Sequence, residues 1–301
     1  MQLSKLTALA SEYSRRNPEK SHDLPGLSIY RRDAISEIEA LIYEPVMCLI
    51  LQGSKVTSIG DQHAELHPGD ALLVSHDLPV VSRITKASRQ EPYTALILSL
   101  DLGLVRSLYD QVADTHLHDH SARSLSVCRA DPAWIAPLIR YLNLMNSPRD
   151  AAVLGPSTLR EIHYRLLLSP IGRMLRRLLI ADSHANRIAK AIQTLRAGFR
   201  SPLSVADLAS GAGMSTSSFH AHFKSITGTT PLQYQKDLRL IEARSLLLDR
   251  HCPVSETAYA VGYESPTHFS RDYSKKFGVP PSRDANLASA RDQHPPQHAS
   301  L

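Results

Sequence analysis

The sequence predicts an α+β chain, with an antiparallel β-sandwich or barrel flanked by helices first and an all-α double helix-turn-helix after it. Three observations carry that prediction. One pattern is written twice: Val205–Ala209–Gly213 recurs as Val254–Ala258–Gly262, and Phe219–Gly228–Pro231 recurs as Phe269–Gly278–Pro281, offset by 49 and 50 residues. Between Leu27 and Ser99 the chain runs in short apolar stretches separated by turn residues. The basic excess is local: residues 187–286 hold 13 Lys/Arg against 8 Asp/Glu, whereas residues 1–186 hold 20 of each sign. A repeated helix-turn-helix with a positive balance is a device for reading duplex DNA in two places.

The length of 301 residues suggests about two domains. With 43% hydrophobic and 21% charged residues the chain can build a core. No apolar run is long enough for a transmembrane helix, and the amphipathic N-terminus lacks a signal peptide's order, so no membrane partner is expected. Cys48, Cys128 and Cys252 are odd in number and scattered, which points to a reducing, cytoplasmic setting without a disulfide framework.

In chain order, residues 3–16 carry Leu3, Leu6, Leu9, Ala10 and Tyr13 on one helical face, and Asn17-Pro18 stops it. Strands are predicted at 27–30, 46–52, 55–59, 64–66, 71–74, 80–84 and 93–100, with turns at Gln52-Gly53, Gly60-Asp61 and Pro68-Gly69-Asp70. The run Val46–Gly53, then a Gly-Asp turn, then His67-Pro68-Gly69-Asp70-Ala71-Leu72-Leu73-Val74, resembles a cupin-type jelly roll. Metal-binding cupins use two histidines one residue apart, a glutamate and a third histidine. Here His63, His67 and His76, with Glu65 between the first two, do not repeat that pattern, and the three histidines read as solvent-exposed turn residues. Cys48 reads as a small buried residue, with a pocket thiol as its functional alternative. Helices are predicted over 102–113 and 132–145, then a Pro-containing break at Ser147-Pro148 and Gly155-Pro156, then helices over 158–168 and 171–181. These helices offer surfaces for a homodimer. His116, His118 and His120 read as a polar loop, and residues 181–184 as a short linker.

The repeat itself opens with a lead-in helix, 187–199. Ser204 caps the helix 205–211, Gly213 supplies the turn, and Ser215 caps the helix 216–227, whose core face is Phe219, Phe223 and Ile226. A long helix, 232–248, with Leu238, Ile241 and Leu248 as core candidates, spaces the two copies. In the second copy Gly262 is the turn and Ser265-Pro266 starts the helix carrying Phe269, Tyr273 and Phe277.

The stretch Ala260-Val261-Gly262-Tyr263-Glu264-Ser265-Pro266-Thr267-His268-Phe269-Ser270-Arg271 through Phe277-Gly278-Val279-Pro280-Pro281 closely resembles the signature of the AraC/XylS family of transcription regulators. The resemblance extends to the N-terminal half, which it identifies as a cupin-like effector domain. It implies base contacts at Ser217, His220 and Ala221 in the first copy and at Pro266, Thr267, His268 and Arg271 in the second. Phosphate contacts fall on Ser215, Ser218, Lys224, Ser265 and Lys275. Ala221 departs from the Arg common at its position and cannot hydrogen-bond a base through its side chain. The resemblance further implies promoter DNA, RNA polymerase and a small-molecule effector as partners, with no cofactor, no catalysis and an activating role. The domains expected are 1–183 for sensing and dimerisation, 184–286 for DNA binding and 287–301 as a disordered tail. A dimeric regulator without a ligand and a metal cupin enzyme are the alternatives.

Overall fold

The computed structural model describes residues 2–16, 24–112, 123–249 and 252–286. The predicted histidine loop around His116, His118 and His120 and the tail from residue 287 lie outside them.

Among the described residues nine strands form two facing antiparallel sheets: β1 (Leu27–Arg32), β2 (Glu39–Tyr43), β3 (Val46–Gln52), β4 (Ser54–Ile59), β5 (Gln62–Leu66), β6 (Asp70–Val74), β7 (Leu78–Lys86), β8 (Tyr93–Ser99) and β9 (Leu125–Arg129). One sheet is ordered β1-β8-β3-β6-β9 and the other β2-β7-β4-β5. Through the first eight strands the chain swaps sheets in the sequence of a jelly roll, as expected. β2 and β9 were not anticipated. β2 is only five residues long with one buried side chain, and β9 has none fully buried, so neither shows a strong apolar period.

The central strand β3 explains its own apolar run, because both of its faces are covered. Met47, Leu49 and Leu51 face α1 (Gln2–Arg16), α3 (Pro132–Asn143) and α4 (Pro148–Leu168), in a core completed by Leu6, Trp134, Leu138 and Leu166. Cys48 and Ile50 face the second sheet, meeting Leu72, Val80, Ile84 and Ala95. Cys48 is therefore a buried residue between the sheets.

The other helices before the repeat are α2 (Leu102–Val112), which packs on α4, α5 (Arg173–Leu179) and α6 (His184–Ala197). The break expected at Ser147-Pro148 is there, with Ser147 extended between a 3-10 turn and α4, but the one at Gly155-Pro156 is not. Ser147 caps α4 by accepting from the Asp150 N–H at 3.4 Å, and the helix continues through Pro156. Ala152 and Pro156 are both exposed, so a carbonyl deprived of its N–H partner can take water instead. The helix expected at 171–181 is a 3-10 turn followed by α5. The lead-in helix begins three residues earlier than predicted because Ser183 caps it, accepting from the Asn186 N–H at 3.1 Å. The short linker is a tight turn, with Asp182 at φ 55°. No helix of the described residues is long and apolar enough to cross a membrane.

The jelly roll and the helices after it are packed together. His76 is not a turn histidine on the surface; it is buried. Its Nε2 meets the Ala185 carbonyl at 3.2 Å, while its Nδ1 meets the hydroxyls of Ser75 and Ser124 at 2.9 and 3.0 Å. Arg196 on α6 pairs with Asp77 and Glu44.

Candidate nucleic-acid interface

Five helices make the repeat: α7 (Val205–Gly211), α8 (Thr216–Thr227), α9 (Pro231–Asp249), α10 (Val254–Ala260) and α11 (Pro266–Phe277). Their two turns repeat the same backbone hydrogen bond. Met214 N–H donates to the Ala209 carbonyl at 2.9 Å, and Tyr263 N–H donates to Ala258 at 2.9 Å. Gly213 and Gly262 sit at φ 63° and 90°, a conformation that side chains with a Cβ rarely adopt. Ser215 and Ser265 cap α8 and α11, accepting from Ser218 N–H at 3.3 Å and His268 N–H at 3.4 Å. Both helices end on a left-handed glycine at φ 76°, Gly228 and Gly278.

Each second helix buries one stripe, Phe219, Phe223 and Ile226 on α8 and Phe269, Tyr273 and Phe277 on α11. What remains faces outward. On α8, Ser215, Ser217, Ala221 and Lys224 are exposed, with Ser218 and His220 half-buried. On α11, Thr267, His268, Arg271 and Lys275 are exposed, and Ser265 and Pro266 are half-buried. All twelve residues named from the sequence thus lie on or beside the outward faces of the two second helices. Lys276, next to Lys275, turns inward to Asp237 at 2.7 Å, so only one of the two lysines is left facing out.

The spacer α9 has no single apolar stripe, because the first unit packs on one side of it and the second on the other. Leu238 is buried as expected, whereas Ile241 and Leu248 are half-buried and Leu240, Ala243 and Leu247 take the second core. Nineteen residues at 1.5 Å each give a rod of about 28 Å.

A feature the sequence did not reveal fixes the two heads to each other. The Arg239 guanidinium on α9 donates to Phe199 at 2.8 Å, Gly262 at 2.8 Å, Ser201 at 3.0 Å and Arg200 at 3.1 Å, all through backbone carbonyls. Gln235 adds bonds to Phe199 and Ser201 at 2.8 and 2.7 Å. Burial works to lower the Arg239 pKa, but a guanidinium starts so high that it stays charged. The Gly262 turn abuts the same segment so closely that a Cβ there would lie 2.0 Å from the Arg200 carbonyl oxygen. A second cluster ties the exit of the domain: Tyr273 donates to Asp284 at 2.7 Å, and Arg244 pairs with Asp284 at 2.9 Å.

The jelly roll touches both heads: Ala40 of β2 joins the core of Phe269, Tyr273 and Phe277, and Arg244 donates to the Ile38 carbonyl at 2.6 Å, while the α8 head meets the β4–β5 turn. The β4–β5 turn holds Gly60 so close to Gly228 that a Cβ on Gly60 would sit 2.2 Å from the Gly228 carbonyl oxygen. Ser124 N–H donates to the Ile226 carbonyl at 3.0 Å, and the Tyr234 hydroxyl donates to the Asp77 carbonyl at 2.6 Å. Between turn and helix lies an open cleft of about 530 Å³, with Asp61, Gln62 and Arg123 on one side and His220, Ala221 and Lys224 on the other. The half of α8 that carries His220, Ala221 and Lys224 therefore faces the jelly roll.

Fold and interface define a two-headed helix-turn-helix protein carrying a jelly-roll domain. The chain belongs to the AraC family of transcriptional regulators, which are DNA-binding proteins and not enzymes: residues 23–174 match the AraC-type transcriptional regulator N-terminus and residues 208–286 a helix-turn-helix domain. The probable transcriptional regulator LumQ of Photobacterium leiognathi is 40% identical over 81 residues, 27% of this chain and 33% of that one. The regulator YidL of Escherichia coli is 36% identical over 114 residues, so the matches span about a third of these two relatives. ExsA of Pseudomonas aeruginosa is 23% identical over 239 residues, 78% of this chain and 84% of that protein. Among solved structures, ToxT from Vibrio cholerae shares the fold with a TM-score of 0.53 at 15% identity, over 87% of this chain and 97% of that one.

Proposed function

We propose that the chain reads promoter DNA base by base through α8 and α11, under the control of a small molecule held in the jelly roll. The observation that carries this reading is the pair of matched heads, with equal caps and turns, clamped by Arg239. Ser217, His220 and Ala221 face the bases of one half-site, and Pro266, Thr267, His268 and Arg271 those of the other. Ser215, Ser218, Lys224, Ser265 and Lys275 take phosphates, the serines at the positive ends of their helices. Arg271 is the residue fitted to grip a guanine bidentately, and Ala221, its counterpart, offers only a methyl. The α8 head is accordingly the less selective.

The working division is 1–183 for sensing and 184–286 for DNA binding, in the cytoplasm. The sensing half contacts the α8 head through Gly60, which supports control by release or repositioning of that head. A ToxT structure with unsaturated fatty acid bound (TM-score 0.51, 12% identity) supports an effector held by this type of fold. The transcriptional activator RhaS of Escherichia fergusonii, 29% identical over 159 residues, supports an activating role, for which RNA polymerase is the partner we propose. The helices α2 to α5 offer the surface for a homodimer.

The test is a base-substitution binding panel on the operator. Arg271→Ala should remove discrimination at one base pair, about 1–3 kcal/mol, whereas Lys275→Ala should weaken every sequence alike and flatten the salt dependence by about one ion. An Arg271→Ala protein with unchanged base preference at every position would sink the assignment.

A further inference from the structure

We propose that the inward face of β4 is a carboxylate site, in which Lys55 and Thr57 hold the acid group of a small organic anion between the two sheets. The site rests on the effector reading above and gives the effector a chemical class.

Alternation along β4 turns Lys55, Thr57 and Ile59 inward. Lys55 is 5% exposed and Thr57 is fully buried. The Lys55 Nζ meets the Cys48 sulfur at 3.7 Å and the Tyr43 side chain, whose hydroxyl it hydrogen-bonds and whose ring centroid lies at 5.6 Å, with the Tyr93 phenol nearby; all three are neutral groups and none is a counter-ion. Among the described residues no carboxylate pairs with it. Burial opposes its charge, and the ionisable Cys48, Tyr43 and Tyr93 around it support it, with a net push upward. The Thr57 Oγ1 has no hydrogen-bond partner at all. A core rarely keeps an ammonium without a counter-ion beside a hydroxyl without a partner, since each is costly by itself.

The inward carboxylate nearest in register is Glu39. It pairs with Ser82, which pairs with Thr57, so it stands two strands away, and it acts on Arg32. Those two charges offset one another and leave Lys55 as the surplus. One positive charge and one hydroxyl suit a monoanion better than a phosphate dianion. The neighbouring surface is aliphatic, with Ile84 beside Lys55 in register, so the rest of the ligand is apolar. Leu41 lies on the same inward face by its register with Val80 yet is 54% exposed, which marks the open side. β4 ends at the Gly60 turn that abuts Gly228, so a ligand seated on Lys55 lies about 16 Å along one strand from the α8 head.

Thermal unfolding of the full chain tests this with benzoate and hexanoate as probes, benzyl alcohol and hexanol as their neutral counterparts, and Lys55→Met and Thr57→Val as variants. At least one acid should raise the wild-type Tm by several degrees, with neither alcohol doing so. Lys55→Met without ligand should melt no lower than wild type, and its affinity for the acid should fall at least about tenfold. Thr57→Val should weaken the acid less. The site is overturned if neither acid raises the wild-type Tm, if the alcohols act equally, or if Lys55→Met keeps the response. The effector reading fails by a different result: compounds that raise the Tm leave operator affinity unchanged.

Discussion

Lowering the pH from 7.5 to 5 should loosen the joint between the two halves of the chain, and His76 sets the amount. Its ring is 3% exposed and bridges the jelly roll to the first turn of α6. Burial pushes its pKa down to about 4, with the hydrogen bond to the Ala185 carbonyl working the other way. In the unfolded chain the imidazole returns to about 6.5. The folded value is the lower one, so the unfolded state takes the proton first. Stability from this group is complete above pH 6.5 and is lost as the pH falls towards 4. At pH 5 the loss is about 2 kcal/mol, rising to about 3 kcal/mol below pH 4. His163, also buried and lowered by burial, acts with the same sign, so a control is needed to isolate His76. His76→Gln keeps a hydrogen-bonding side chain without a proton to gain. Wild type should lose about 4 °C more than His76→Gln between pH 7.5 and 5, taking about 2 °C per kcal/mol for a chain of this size. Parallel melting-temperature profiles for the two proteins would refute the reasoning.

Two further outcomes follow from contacts at the heads. Arg239→Lys cannot reach four carbonyls from one nitrogen, so it should cost about 3 kcal/mol in unfolding free energy. It should also weaken binding to the full operator more than to an isolated half-site, and equal losses on both would count against the clamp. Gly60→Asn keeps a residue tolerant of the positive φ but drives a Cβ into the Gly228 carbonyl oxygen, 2.2 Å away. It should free the α8 head and raise effector-independent operator affinity in a mobility-shift assay, and an unchanged affinity would argue against control through that turn.

The parts of the molecule legible in the sequence were those with local causes. Gly213 and Gly262, the serine caps, and the spacing of Phe219 and Phe269 each act within a few residues, so both heads and their outward faces could be read directly. The jelly roll was legible from its turns and from β3, whose apolar run reports burial on two faces. Side chains with distant partners were not. His76 looks like any turn histidine until Ala185 and Ser124, 109 and 48 residues away, close around it. Arg239 reads as one more surface charge of the basic domain, and its four carbonyls lie 23 to 40 residues off. Pro156 reads as a helix break, yet Ser147 starts α4 before it and the exposed side of the helix absorbs it. Lys55 passes for a solvent-facing strand residue, and only the facing β1-β8-β3-β6-β9 sheet closing over β4 makes it an interior charge.

The Arg239 clamp has a consequence for the DNA. Because one guanidinium and the Gly262–Arg200 contact set the relation between the heads, the two half-sites are a single word whose letters cannot be moved apart. A promoter that gains about five base pairs between them turns one half-site to the far side of the helix, and the Arg239 clamp opposes the rearrangement needed to follow it. Operators of this protein should therefore tolerate base changes under the α8 head more readily than any change in length between the heads.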